Sequence, residues 1–180
     1  GILEEGFHLN TIEPFPDEDA LLISARNINQ LMKIDRNSGE ILWTLGEYGD
    51  LPLVGNEQFL WQHAPEIQED GSILLFDNGL TDKREMSRVL VLSYDSEAGV
   101  VQVDQEIRAF PDIFAPVWGD ADRLANGNIL ATFGQGGDEL VSVIIEFDEA
   151  GEELWRLETP MGWGVYRTDR VEDPPTGYVR

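Results

Sequence analysis

The chain has 180 residues, of which 42% are hydrophobic, enough to bury the core of one folded domain. Twelve Lys and Arg residues stand against 35 Asp and Glu residues, and the resulting net charge of −23 excludes nucleic acid and anionic membrane surfaces as expected partners. The sequence has no cysteine, which excludes disulfide, zinc-thiolate and cysteine-nucleophile chemistry, and it has no apolar run long enough to span a bilayer.

Short runs of alternating apolar and polar residues predict an all-β chain. Gly, Asn and Asp residues separate the runs, as they do in tight turns, and no long window has the apolar spacing of a helix. In chain order the clearest predicted strands cover residues 21–26, 30–35, 40–45, 72–77, 88–95, 100–107, 128–133, 141–148 and 153–158.

The predicted strands recur in the same order three times. The stretches KIDRNSGEILW, SYDSEAGVVQV and EFDEAGEELW each place an Asp at the end of one strand and a Gly before the next, which favours a tight reversal. A further pair of strands precedes each of these hairpins, so each unit has four strands. The predicted units cover residues 6–46, 59–108 and 117–158, and residues 162–170 are predicted to begin a further unit.

Repeated units of four antiparallel strands are typical of the blades of a β-propeller. Trp43 and Trp155 fall on the outermost strand of their units, where a large ring can cover the seam between blades. Three blades and a strand do not close a ring, and the chain begins with Gly1 instead of Met. We therefore expect a piece of a larger ring, or a ring completed by another chain; a β-sandwich is the structural alternative.

Alignment of the three units places His8, His63 and Asp120 near the start of successive first strands. The first strands of a propeller line its central channel, so we expect these side chains to converge on one axis. The alternative is that each histidine is a partly buried residue bonded to a neighbouring backbone group. Two imidazoles and a carboxylate could also hold a divalent metal, although no close His pair supports that interpretation.

Cationic and amide side chains follow the predicted second strands. Arg26, Asn78 and Gln135 stand at equivalent strand ends, where they could bind an oxyanion such as sulfate or phosphate. Arg26 could equally pair with a nearby Asp. The polar connection after Asn78 carries Arg84 and Arg88, which could close on an anionic group over the channel or be solvated.

The sequence resembles the arylsulfotransferase family over nearly its whole length, corresponding to the later part of that family's longer propeller sequence. The matching elements are the FHLNTI segment around His8, the SAR of Ser24–Arg26, the QH of Gln62 and His63, the FDNG of Phe76–Gly79, and the SR of Ser87 and Arg88. The resemblance implies transfer of sulfate from a phenolic sulfate ester to a phenol through a sulfated histidine, in an extracellular or periplasmic protein without a cofactor. It also implies a small anionic sulfate ester as the ligand.

The resemblance implies roles for individual residues. His8 and His63 would hold the sulfuryl group and move the phenol proton, and Arg84 would stabilise developing charge. Residues expected to bind the substrate are Asn10, Arg26, Asn78, Arg88 and Asp120.

One departure from the family leaves the function open. The stretch 106–120, where the family's nucleophilic histidine is expected, contains no histidine. A non-catalytic propeller that binds a ligand or a partner chain is therefore the alternative. The Asp–Gly hairpins are also similar to those of quinoprotein propellers, which bind pyrroloquinoline quinone.

Overall fold

The computed structural model describes residues 6–53, 57–135 and 141–171, and in these residues the chain forms three four-stranded antiparallel sheets. The prediction of an all-β protein is confirmed. Sheet 1 consists of β1 (Leu9–Pro14), β2 (Ala20–Ala25), β3 (Gln30–Asp35) and β4 (Ile41–Gly46), with a short 3-10 turn (Arg26–Ile28) after β2. Sheet 2 consists of β5 (His63–Ile67), β6 (Ile73–Asp77), β7 (Arg88–Asp95) and β8 (Val100–Ile107). Sheet 3 consists of β9 (Asp120–Arg123), β10 (Ile129–Phe133), β11 (Val143–Phe147) and β12 (Glu153–Glu158).

The same turn chemistry closes the hairpin between the third and fourth strands of each sheet. Asp35 accepts hydrogen bonds from the backbone N–H groups of Asn37 at 3.0 Å and Ser38 at 2.7 Å. Asp95 and Asp148 accept equivalent bonds from the residues that follow them. Because each carboxylate bonds the turn just ahead of it, the chain reverses at these three places without help from the core.

Sheet 2 lies between the other two sheets and is buried on both faces. Ile73 and Leu75 of β6 join the apolar core shared with sheet 1, whereas Leu74 and Phe76 join the core shared with sheet 3. The ring of Phe76 meets that of Phe133 edge to face, with their centroids 5.2 Å apart. This alternation explains why β6 has no exposed residue, since one strand supplies two cores.

The two tryptophans predicted to cover seams have different environments. Trp43 is only 6% exposed, and its ring packs on Phe15 of its own sheet and on Tyr94 of sheet 2, with centroids 6.4 and 5.0 Å away. Trp155 is 48% exposed on β12, the outermost strand of sheet 3. Sheet 3 meets sheet 2 through its other face, so the face that carries Trp155 has no sheet against it in the described residues.

Residues 159–170, which we call the strap, follow β12 and differ from the prediction. The stretch 162–170 was expected to begin a further unit, but it forms no strand within the described part of the chain. The strap lies on sheet 3, where the Val165 N–H donates to Ser142 Oγ at 2.8 Å and Arg170 pairs with Glu146 at 3.0 Å. A first strand needs a second strand as its hydrogen-bond partner, and side chains of sheet 3 take these bonds instead. Among the described residues, no helix has the length and apolar character needed to cross a membrane.

Candidate functional site

The first strands of the three sheets lie side by side, with β5 in contact with β1 and with β9. Side chains join β1 to the start of β5: Asn10 donates its Nδ2–H to the Gln62 carbonyl at 2.8 Å, and the Ala64 N–H donates to Thr11 Oγ1 at 3.2 Å. His63 begins β5 and is only 2% exposed. His63 therefore lies on a first strand flanked by the first strands of both neighbouring sheets, and its convergence with His8 and Asp120 on a channel axis stays a prediction.

The hydrogen bonds around His63 determine which ring nitrogen carries the proton. Asn78 donates its Nδ2–H groups to the backbone carbonyls of Ala115 at 2.6 Å and Trp118 at 2.9 Å, so its Oδ1 faces His63. His63 Nδ1 lies 2.7 Å from this oxygen and 3.1 Å from the Trp61 carbonyl oxygen. Because both oxygens can only accept, Nδ1 is the donor and the lone pair of the neutral ring lies on Nε2.

Burial of the ring lowers the pKa of His63 to about 4. Burial is the largest cause of this pKa; nearby Arg26 and His8 act in the same direction, and the hydrogen bond to Asn78 opposes them. At neutral pH the imidazole is therefore uncharged, and no described residue donates a hydrogen bond to its Nε2. Such a nitrogen can accept a proton or attack an electrophile.

Arg26 places a positive charge close to His63. Its guanidinium carbon lies 3.7 Å from the centre of the Trp61 ring, and its Nη atoms donate to Asn27 Oδ1 at 3.0 Å and the Pro116 carbonyl at 3.1 Å. Whether Arg26 also pairs with a nearby Asp, the predicted alternative, stays a prediction. The stacking contact and these hydrogen bonds fix the orientation of the guanidinium.

Arg84 and Arg88 are held by one buried carboxylate. Asp77, which is fully buried, accepts bonds from Arg84 Nη2 at 2.5 and 2.6 Å and from Arg88 Nε at 2.8 Å. Arg88 also pairs with Glu106 at 2.6 Å. The expectation that Arg88 lies on a loop over the channel is wrong, because Arg88 begins β7 and is 3% exposed. A buried carboxylate needs donors, and these two arginines supply them.

Asn10 and Asp120 line a second, acidic part of the surface. A cavity of about 310 Å³ is bordered by both residues and by Glu66, Asp122 and Arg167. Burial and, to a lesser extent, the negative charge of Asp122 raise the pKa of Asp120 to about 7; burial likewise raises the pKa of Asp122 to about 6. The carboxylates of this cavity repel a sulfate ester, and the predicted substrate-binding roles of Asn10 and Asp120 stay predictions.

Tyr166, which the sequence did not single out, packs against the His63 ring, and Trp118 packs against Tyr166. Tyr166, on the strap, lies edge to face against His63 with ring centroids 6.0 Å apart, and against Trp118 at 6.1 Å. Gly164 allows this approach, because a Cβ at that position would lie 2.4 Å from the Trp118 ring. Only the repeated tryptophan at the start of the second and third predicted units, Trp61 and Trp118, could have indicated an aromatic site.

The predicted site residues thus separate into three groups. His63, Asn78 and Arg26 come together, and His8 is exposed just before β1 but close enough to affect His63 electrostatically. The other predicted residues lie in the Asp77 ion pairs (Arg84 and Arg88) or at the acidic cavity (Asn10 and Asp120). No group of three or more His, Asp or Glu residues in the described ranges has an arrangement that could hold a metal ion.

Fold and site together define the class of the protein. It is all-β, and its buried, neutral histidine lies near an arginine and three aromatic rings. The model of the arylsulfotransferase (ASST) family matches residues 2–159 of the chain. The chain belongs to this family, as its motifs around His63 and Asn78 predicted. A comparison with curated proteins finds no match.

Proposed function

We propose that the protein transfers a sulfuryl group from an aryl sulfate to a phenol, with His63 as the proton carrier. The observation that carries this proposal is the fixed tautomer of His63, whose Nδ1–H is bonded and whose Nε2 lone pair is available. Membership of the arylsulfotransferase family supports the same chemistry.

The charges around His63 suit an anionic substrate. Arg26 is the nearest fixed cation, and a sulfate ester beside it would replace the repulsion that His63 now experiences with attraction. A bound anion favours imidazolium, so the pKa of His63 should rise when the substrate binds. His63 Nε2 would then accept the proton of the attacking phenol and return it to the departing phenolate.

The direct test is release of 4-nitrophenol from 4-nitrophenyl sulfate, with phenol present as the acceptor. His63→Asn should lower kcat/KM at least about 100-fold, the usual contribution of a positioned acid–base group. Equal turnover by the two proteins, with circular dichroism showing both folded, would remove His63 from the mechanism. No turnover by the wild-type protein under any acceptor concentration would overturn the proposed function itself.

Asn78 offers a sharper variant because it acts through His63. Asn78→Asp keeps an acceptor for the Nδ1–H but adds a negative charge, which favours imidazolium and raises the pKa of His63. We expect the acidic limb of the pH–rate profile to move to higher pH in this variant. Asn78→Leu removes the acceptor and should lower kcat; a purely structural Asn78 would change stability without moving the pH profile.

A second candidate function, an assembly module, is favoured by the exposed face of sheet 3. We propose that the three sheets are consecutive blades of a β-propeller, because they repeat one strand order and pack face to face. Trp43 covers a seam between sheets, whereas Trp155 borders a groove of about 480 Å³ with Leu130, Ile144 and Leu157. A further sheet, from another chain or from more of the same protein, would cover this groove as sheet 2 covers Trp43.

Sedimentation velocity tests the assembly proposal. The wild-type chain should sediment as an oligomer at micromolar concentration, and Trp155→Glu should convert it to a monomer. A wild-type chain that stays monomeric would contradict assembly by this face. The expected location outside the cytoplasm stays a prediction, which cell fractionation can check.

A further inference from the structure

The strap is held on the protein by specific bonds. Arg170 pairs with Glu146 through two contacts of 3.0 Å, Arg167 Nε lies 3.3 Å from Asp120 Oδ2, and the hydroxyl of Thr168 is bonded to that of Thr132. The Val165 N–H is bonded to Ser142 just before Tyr166 in the chain. The strap is therefore held on both sides of Tyr166. The position of Tyr166 beside His63 is therefore part of the folded arrangement.

Tyr166 differs from the other described tyrosines in its neighbours. Its ring is in contact with His63 and is 45% exposed, so a molecule from solution can reach it. Tyr94 packs on Trp43, away from any histidine. Tyr48 is 93% exposed and has no ring contact with another described residue. Exposure and proximity to His63 thus vary independently among these three phenols.

We propose that Tyr166 is an internal acceptor, so that the protein transfers a sulfuryl group from an aryl sulfate to its own Tyr166 hydroxyl. This inference rests on the proposed function, and it adds a covalent modification site to it. A tyrosine side chain is a phenol, the chemical class of the proposed acceptor. The ring contact with His63 places that phenol beside the group that accepts the proton.

The bonds and the proton balance without any further reactant. The sulfur–oxygen bond of the aryl sulfate breaks, and a new sulfur–oxygen bond forms to the Tyr166 oxygen. His63 Nε2 takes the hydroxyl proton and passes it to the departing phenolate, which leaves as the phenol. The products are one phenol and one tyrosine O-sulfate, and His63 returns to its neutral form. Holding the acceptor within the same chain raises its effective concentration relative to phenol in solution.

The test is to incubate the full chain with 4-nitrophenyl sulfate alone and to measure its intact mass and peptide map. We expect a gain of one sulfuryl group on the peptide that contains Tyr166 and at least a tenfold lower occupancy at Tyr48. Tyr166→Phe keeps the ring against His63 and Trp118 but removes the acceptor, so it should show no gain. Tyr48→Phe is the matched control and should be modified as the wild type is.

A parallel reaction with added phenol separates this inference from the proposed function. Transfer to phenol with no modification of Tyr166 would overturn the internal acceptor and leave the proposed function standing. Modification that follows exposure, with Tyr48 labelled more than Tyr166, would also overturn it. If sulfate reaches neither phenol nor Tyr166, both the proposed function and the internal acceptor fail. Modification of Tyr166 that is lost in His63→Asn supports both.

Discussion

Asp77 and Asp120 are equally buried carboxylates in opposite environments. Asp77 is saturated with donors: Arg84 and Arg88 pair with it, and the Leu60 and Gly79 N–H groups also bond to it. Asp120 is 1% exposed, yet its Oδ2 accepts no hydrogen bond from the described residues and has only Arg167 at 3.3 Å. Its pKa is accordingly raised to about 7.

The difference shows that partners, not burial, decide what a buried charge does here. Through these donors, Asp77 at the end of β6 is linked to Arg88 at the start of β7, so its role is structural. The carboxylates near Asp120 repel one another, and binding of a proton reduces this repulsion. His63 lies between these extremes, since its amide and carbonyl acceptors orient the ring but leave it neutral.

The largest expected effect comes from breaking the Asp77 network. Asp77→Asn should lower the free energy of unfolding by about 3–5 kcal/mol, because it leaves two guanidinium groups without their buried countercharge. Urea denaturation followed by tryptophan fluorescence measures this change. Asp82→Asn, on the exposed connection that follows, is the control and should change stability by less than about 0.5 kcal/mol. Equal effects of the two variants would contradict the structural role of Asp77.

The second prediction concerns acid and His63. The pKa of His63 is about 4 in the folded chain, and its ordinary value is 6.5. Between pH 4 and 6.5 the unfolded chain therefore binds a proton that the folded chain does not bind. The stability of the wild type relative to His63→Gln should therefore fall by about 3 kcal/mol as pH is lowered from 6.5 to 4. Denaturation curves of both proteins across this range give the difference. A pH-independent difference would mean that His63 is not neutral in the folded protein.

Asp120 should show an effect of similar size and opposite sign. Its folded pKa of about 7 exceeds the ordinary value of 3.8, so the folded chain holds a proton that the unfolded chain releases. The stability of the wild type relative to Asp120→Asn should fall by about 3 kcal/mol as pH rises from 4 to 7. The same curves measure it. A relative stability of the wild type that rises with pH, or does not change, would contradict the repulsion at the acidic cavity.

The smallest expected effect belongs to an exposed carboxylate that bonds only its own turn. Asp148→Ala removes the acceptor for the Ala150 and Glu152 N–H groups, which water can replace, so stability should fall by about 0.5–1 kcal/mol. Thermal unfolding by circular dichroism measures the change. Asp148→Asn keeps an acceptor and should recover most of the loss, whereas equal losses in both variants would assign the effect to charge.

Most of the fold could be predicted from local patterns. Alternation with a period of two and the Asp–Gly turns indicate the strands and their hairpins, because both depend on residues close together in the chain. The prediction of a strand at 162–170 was wrong. The residue pattern is the same whether a partner strand or the side chains of sheet 3 accept the hydrogen bonds of this stretch. Periodicity carries no information about which partner is present.

The candidate site could be predicted only in part. His63 and Asn78 stand out by motif and repeat position, and the structure brings them together. Arg84 and Arg88 looked equally suited to bind an anion, since the sequence does not show that Asp77, to which both are bonded, is fully buried. Tyr166 could not be found at all, because it lies 103 positions after His63 and no spacing rule predicts that the strap returns to β5.

Composition, periodicity and motifs are sufficient to identify the protein as strongly acidic, all-β and a member of the arylsulfotransferase family. Tertiary structure alone decided which charges have partners. Asp77 and Asp120 are the same residue type with the same burial, and only the neighbours that distant segments bring to them make one a structural tie and the other a proton-binding group. Electrostatic energy depends on distances in space, which the order of residues along the chain does not fix.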